Sequence, residues 1–201
     1  MIDKQGIYDL LNSKGIEYER YDHIPVYTVA EAESLDIPHK EKGLKNLFLK
    51  DKKHNYYLVS LNGGKSIDLK KLRTFLGCTP LHFANAEELL NITGLEPGHV
   101  TPFGILNSAG YPVKSVFDVK LSGDIIGIHP MSNDATIFVS FDDIRKLIEE
   151  SGFEVLMYEG EIWKIRKYVW KMKIQENSYE VNRFVLKLTI QCLSRGSMIF
   201  L

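Results

Sequence analysis

Lys45 and Asn46 stand side by side in Gly43-Leu44-Lys45-Asn46-Leu47-Phe48-Leu49, a run that otherwise reads as a buried β-strand. With a period of two, Lys45 shares a face with Leu47 and Leu49, and Asn46 shares the other with Leu44 and Phe48. Neither polar residue has an obvious solvent side. Taking an ammonium out of water costs several kcal/mol unless it is paired or borders a wet cavity, so a Lys here points to a site at a strand end. The plainer alternative is a stem packed on the sheet with its head reaching solvent.

Two further segments carry groups of the same kind. Gly98-His99-Val100-Thr101-Pro102-Phe103-Gly104 has the form G-x-x-x-P-x-G. Its glycines permit backbone angles closed to other residues and its proline fixes one, so the loop can aim amide N–H groups at a ligand; a purely structural loop has the same composition. Asp124-Ile125-Ile126-Gly127-Ile128-His129-Pro130 places a His at the end of an apolar strand, with Asn133 close behind. Such a His can be satisfied by a backbone carbonyl in the core, or can work at a site, where strand ends often place active groups.

No Ser or Cys has a His at a spacing that suggests an activated nucleophile, which argues against a covalent intermediate. Cys78 and Cys192 are far apart, and the six histidines (23, 39, 54, 82, 99 and 129) form no metal-ligand spacing. The sequence therefore predicts reduced thiols, no metal and no cofactor.

The elements that must position these residues read as an α+β alternation. Apolar spacing predicts a helix over 2–14 ending at Gly15, a strand from Glu17 to Asp22, and an extended His23-Ile24-Pro25-Val26-Tyr27. Thr28 is a good N-cap for a helix through Leu35, with Glu31 at the capping-box position. Strands at Leu44–Lys50 and Tyr56–Leu61 make a hairpin across a polar turn. Helices follow from Ser66 or Asp68 to Leu76, closed by Gly77, and from Asn85 or Ala86 to about Ile92. Strands are expected at 115–121, 124–129 and 136–140, then a helix from Phe141 to Ser151 and a last strand at 153–158. Interspersed helices and hairpin-linked strands favour a mixed α+β sheet over a doubly wound parallel one.

The chain of 201 residues has ordinary globular proportions, 44% hydrophobic and 25% charged. It has no apolar run long enough to span a bilayer and no signal-like start, which predicts a cytoplasmic protein without a membrane partner. The net charge of −1 hides an asymmetry: residues 159–201 hold eight Lys or Arg against four Glu, leaving 1–158 at −5. The main body is thus no basic nucleic-acid-binding domain, and any RNA contact there must be local.

The ordered set Val26-Tyr27-Thr28-Val29-Ala30-Glu31-Ala32, Gly43 to Leu49, Gly94-Leu95-Glu96-Pro97-Gly98 through Gly104, and Ile128-His129-Pro130 with Asn133 and Ala135-Thr136 resembles the free-standing prolyl-tRNA editing proteins. These belong to the family of the bacterial prolyl-tRNA synthetase insertion domain and the YbaK proteins. The resemblance covers about residues 1–158 and is closest to the alanine-removing branch.

What the resemblance implies is a mixed, barrel-like sheet flanked by helices, forming a single domain over 1–158 with 159–201 as an extension. It also implies trans-editing: hydrolysis of the ester of mischarged Ala-tRNA(Pro). Lys45, Asn46 and His129 would be the catalytic set, Lys45 holding the RNA end or the ester oxygen and Asn46 orienting the amine or carbonyl. The neighbouring ribose hydroxyl would assist, so His129 binds more than it catalyses. Substrate-binding positions would be Thr28, Val29, Gly98, Thr101, Pro102, Phe103, Gly104 and Asn133, with Val29, Phe103 and Ile128 as candidate pocket walls. The partners implied are the acceptor end of mischarged tRNA(Pro) and a prolyl-tRNA synthetase. Two alternatives stay open, a YbaK-like Cys-tRNA(Pro) deacylase and a non-catalytic module that binds aminoacyl-tRNA or an amino acid. Finally, Ile162, Ile165, Val169 and Met172 recur at helical spacing among basic residues and both tryptophans, as in an amphipathic helix that grips tRNA phosphates or a synthetase, or as in a poorly ordered extension.

Overall fold

The computed structural model of the protein describes residues 1–26, 31, 34–63 and 65–160, and the backbone at 163–164. Of the expected helix from Thr28 to Leu35 only Glu31, Ser34 and Leu35 are described, the first two in helical conformation, and the rest lies outside the described residues. The chain divides into compact units at Met1–Ile165 and Arg166–Leu201, and the second unit is likewise outside them.

The elements are helix α1 (Lys4–Ser13), strand β1 (Tyr18–Asp22), a 3-10 turn (Lys40–Lys42), β2 (Leu44–Lys50), β3 (Tyr56–Asn62) and β4 (Lys65–Ser66). Then come α2 (Leu69–Leu76), β5 (His82–Phe83), α3 (Ala86–Thr93), a 3-10 helix (Pro102–Asn107), β6 (Val113–Asp118), β7 (Ile125–Ile128), β8 (Ala135–Ser140), α4 (Phe141–Glu150), β9 (Val155–Tyr158) and β10 (Trp163–Lys164). Local chemistry sets most boundaries. The Asp68 carboxylate accepts from the amides of Lys70 and Lys71 at the start of α2, and Gly77 closes that helix at φ 60°. Asn85 and Glu88 form a reciprocal capping box on α3. At the hairpin turn Asp51 accepts from the amides of Lys53 and Asn55 and from the Asn55 side chain.

Five strands form a mixed sheet in the order β5-β2-β3-β6-β9, antiparallel through β3 and parallel beyond it. Three more form an antiparallel sheet, β1-β8-β7. The two sheets touch at one parallel bridge, Gly43 with Gly127. No closed barrel forms among the described residues; on β7 the ring of Phe138, the cross-strand partner of Gly127, fills the place a Gly127 side chain would take. The larger core fills the space between the sheets with Phe48, Leu58, Phe117, Ile128 and Ile137, covered by α1, α3 and α4. On the other face of the five-stranded sheet, Leu49, Tyr57, Val59, Leu61 and Val116 pack on Leu72 of α2. In the basic segment, read from the sequence as an amphipathic helix or a poorly ordered extension, Trp163–Lys164 is a strand paired with β4; the rest of it lies outside the described residues.

Candidate active site

The start of β2, the end of β7 and the start of β8 surround a cavity of about 90 Å³. Gly43, Leu44 and Asn46 come from the first, Ile128 and His129 from the second, Thr136 and Phe138 from the third, and Lys40 stands at its edge. It is well below the roughly 300 Å³ at which drug-sized pockets begin, so its natural guest is small. A larger open concavity of about 1330 Å³ lies against β1 and β8, but its walls mix Arg20 and Lys42 with Glu17, Glu19, Asp124 and Asp143. The small cavity is lined by Asn46, whose buried Oδ1 has no partner among the described residues.

His129 closes β7. Its Nδ1 lies 2.9 Å from the Ala135 carbonyl, which can only accept, so Nδ1 carries the proton and Nε2 keeps its lone pair in the neutral ring. Burial lowers its pKa below the usual histidine range, and nearby His23 and His99 act in the same direction, against the Ala135 hydrogen bond and Asp134. The His129 carbonyl accepts from the Thr101 hydroxyl at 2.6 Å and the Met131 amide at 3.0 Å, and Met131 turns the chain at φ 63°.

The polarity of Thr136 is set from behind. His23 Nδ1 donates to the Ile24 carbonyl at 2.8 Å, which leaves His23 Nε2 to accept from the Thr136 hydroxyl at 2.9 Å. Thr136 Oγ1 thus keeps its lone pairs as acceptors. The rings of His23 and His129 meet edge to face with centroids 6.2 Å apart.

Asn46 donates through Nδ2 to the Val100 carbonyl at 2.9 Å, which ties β2 to the glycine loop and fixes the amide orientation. Its Oδ1 is buried and has no partner among the described residues. A buried acceptor left unmade costs about 1–3 kcal/mol, which a ligand donor would recover. Asn46 Oδ1, Thr136 Oγ1 and His129 Nε2 can each accept, on three residues that line the same cavity.

Other expected positions fall elsewhere. Lys45 is on the opposite side of β2 from Asn46, facing with Leu47 and Leu49; it is half-buried, and among the described residues no ion pair or hydrogen bond reaches its ammonium. Thr101 serves the site through the His129 carbonyl. Pro102, Phe103 and Gly104 are buried in the 3-10 helix; Phe103 belongs to the large core, and a Cβ at Gly104 would sit 2.7 Å from Leu95 Cδ1. The Gly104 amide is spent on the Thr101 carbonyl at 3.0 Å, so Gly104 is there for packing. Gly98 turns the loop at φ 89°. Asn133 is buried and clamps the backbone of Val26 through Nδ2 to its carbonyl (3.0 Å), while its own carbonyl accepts the Val26 amide (3.1 Å). Of the candidate walls, Ile128 lines the cavity and Phe103 does not; Thr28 and Val29 lie outside the described residues. Lys40, Thr136 and His23 are additions. A His before an extended Ile-Pro step was the available signal for His23; its Thr136 partner is 113 residues away.

This arrangement has known counterparts. Residues 23–147 match the aminoacyl-tRNA editing domain. The chain is 38% identical to the prolyl-tRNA editing protein ProX of Acetoanaerobium sticklandii, over 74% of this chain and 92% of that one. The chain belongs to the aminoacyl-tRNA editing domain family. It is also 31% identical to prolyl-tRNA synthetase associated domain-containing protein 1 of Danio rerio, over 74% of this chain and 82% of that one. Among solved structures, the hypothetical protein APE2540 superposes with a TM-score of 0.60 at 23% identity, covering 75% of this chain and 97% of that chain. A candidate trans-editing enzyme for prolyl tRNA synthetase superposes at 0.55 and 22% identity, covering 78% and 97%. These two likenesses establish the editing-domain fold. The editing domain is an aminoacyl-tRNA deacylase, a hydrolase of the ester that joins an amino acid to tRNA. No helix among its described residues is long and apolar enough to cross a membrane.

Proposed function

We propose that the protein hydrolyses Ala-tRNA(Pro) in trans, through the 1–158 domain, in the cytoplasm and alongside a prolyl-tRNA synthetase. The observation that carries this reading is the small cavity lined by three residues with acceptor atoms, Asn46, Thr136 and His129, in a chain 38% identical to a prolyl-tRNA editing protein. A primary α-ammonium offers three N–H donors, which match Asn46 Oδ1, Thr136 Oγ1 and a water held at His129 Nε2. Prolyl ester has a ring and one N–H fewer. It is refused on size and on hydrogen bonding together, whereas a synthetase pocket made for proline gains only about 1–3 kcal/mol per methylene against alanine.

In the reaction, water held by the neutral His129 ring attacks the ester carbonyl. The carbonyl–oxygen bond to the ribose breaks, and the proton lost by the water reaches the departing ribose oxygen through the adjacent ribose hydroxyl. Lys40 at the cavity edge supplies positive charge for the developing oxyanion. Lys45, on the other side of β2, holds a phosphate of the RNA end by charge-assisted hydrogen bonds.

Incubating the full chain with Ala-, Cys- and Pro-tRNA(Pro) tests the assignment. Loss of alanine alone is expected. Preferential loss of cysteine would assign the cavity to the other amino acid, and three intact esters with charged tRNA bound would make the protein a binding module.

A further inference from the structure

The aminoacyl cavity shares a wall with a second one. On the far side of the Asn46–Val100 hydrogen bond lies an apolar hollow of about 160 Å³, lined by Asn46 itself, Leu47, Phe48, Pro97, Val100 and Phe83. Phe83 sits on the two-residue edge strand β5, opposite Leu49, and is 62% exposed. A ring of this size left in water at the rim of a hollow, on a two-residue edge strand paired with Leu49 and Lys50 and followed by the Ala84 amide donating to the Phe48 carbonyl at 3.0 Å, is poorly explained by folding. On its flank, the Lys50 ammonium is engaged by Glu88 at 2.6 Å.

We infer that Phe83 and this hollow bind the terminal nucleobase of the aminoacyl-tRNA, the base stacking on the Phe83 ring. The inference rests on the deacylase reading of the neighbouring cavity. An ester seated against Asn46 is bonded to the terminal ribose, so the base attached to that ribose must settle within a few ångströms, and the hollow continuous with Asn46 is there to take it. Its size suits one planar ring system. Stacking on an aromatic side chain needs no charge and tolerates any base, as fits a terminal nucleotide common to all tRNAs. Lys45 lies on the same face of β2 as Leu47 and Leu49, four residues along the strand from the partner of Phe83, where the following phosphates of the strand would pass.

The test uses the full chain, its Phe83→Ala and Phe83→Trp variants, and Ala-tRNA(Pro) ending in either adenosine or 2-aminopurine. In single-turnover deacylation, Phe83→Ala should raise the half-saturating protein concentration between about fivefold and a hundredfold with the saturated rate nearly unchanged, and Phe83→Trp should restore it. Binding of wild type should quench 2-aminopurine emission, and Phe83→Ala should not. Unchanged half-saturation together with undiminished quenching in Phe83→Ala would overturn the inference. Quenching that depends on Phe83 while wild type leaves the alanine ester intact would uphold the base site and defeat the alanine assignment, so the two readings fail separately.

Discussion

The two faces of β2 carry adjacent residues with opposite fates. Asn46 looks into the space between the sheets, where β7 and β8 bring His129 and Thr136 to the same cavity and where its Oδ1 has no partner among the described residues. Lys45, one residue earlier, shares its face with Leu47 and Leu49 and the core under α2. Residues that travel together in a motif therefore need not act on the same atoms. In the proposed function, one face of the strand handles the small, buried end of the substrate, and the other meets what leads up to it.

The strongest way to break this comparison is Asn46→Ala. Hydrogen bonds to a charged group are worth about 1.5–3 kcal/mol, so kcat/KM for Ala-tRNA(Pro) should fall about 10- to 150-fold, measured by initial rates, with little change in its dependence on salt. Lys45→Ala should act differently. It should weaken binding about tenfold at low ionic strength and flatten the plot of log affinity against log salt by about 0.7, the share of one phosphate contact in a single strand.

Stability separates a third residue from both. Asn133→Ala removes the donor to the buried Val26 carbonyl and should cost about 1–3 kcal/mol, read as a lower denaturation midpoint, without a site group being lost. The smallest effect concerns pH. Because His129 has its pKa lowered in the fold, the unfolded chain takes up a proton first as pH falls. Its contribution is whole above the unfolded value of about 6.5 and is lost as pH drops from there towards the lowered folded value. His129→Gln should remove that part of the slope in a pH series of urea melts.

Local features of this fold were legible because their causes are local. Asp68, Gly77 and Asn85 mark helix ends through hydrogen bonds within three residues, and Asp51 folds the hairpin turn around itself. Alternation also told that Lys45 and Asn46 face apart. It did not tell which face holds the cavity, because that depends on β7 and β8, more than 75 residues later in the chain. For the same reason the glycine loop was legible as a tight turn but not as packing: Gly104 is small because Leu95 and Thr93 crowd it. Thr136 gains its role from His23 across 113 residues, and Phe83 from an exposure that no pattern encodes.

The most direct test of the division across β2 is single-turnover deacylation of Ala-tRNA(Pro) by wild type, Asn46→Ala and Lys45→Ala, each at low and high salt with protein varied to saturation. The account predicts a lower saturated rate for Asn46→Ala at both salt concentrations. For Lys45→Ala it predicts a near-normal saturated rate, with a binding defect that shrinks as salt rises. A saturated rate for Lys45→Ala that collapses equally at both salt concentrations would place its ammonium at the ester and contradict the account.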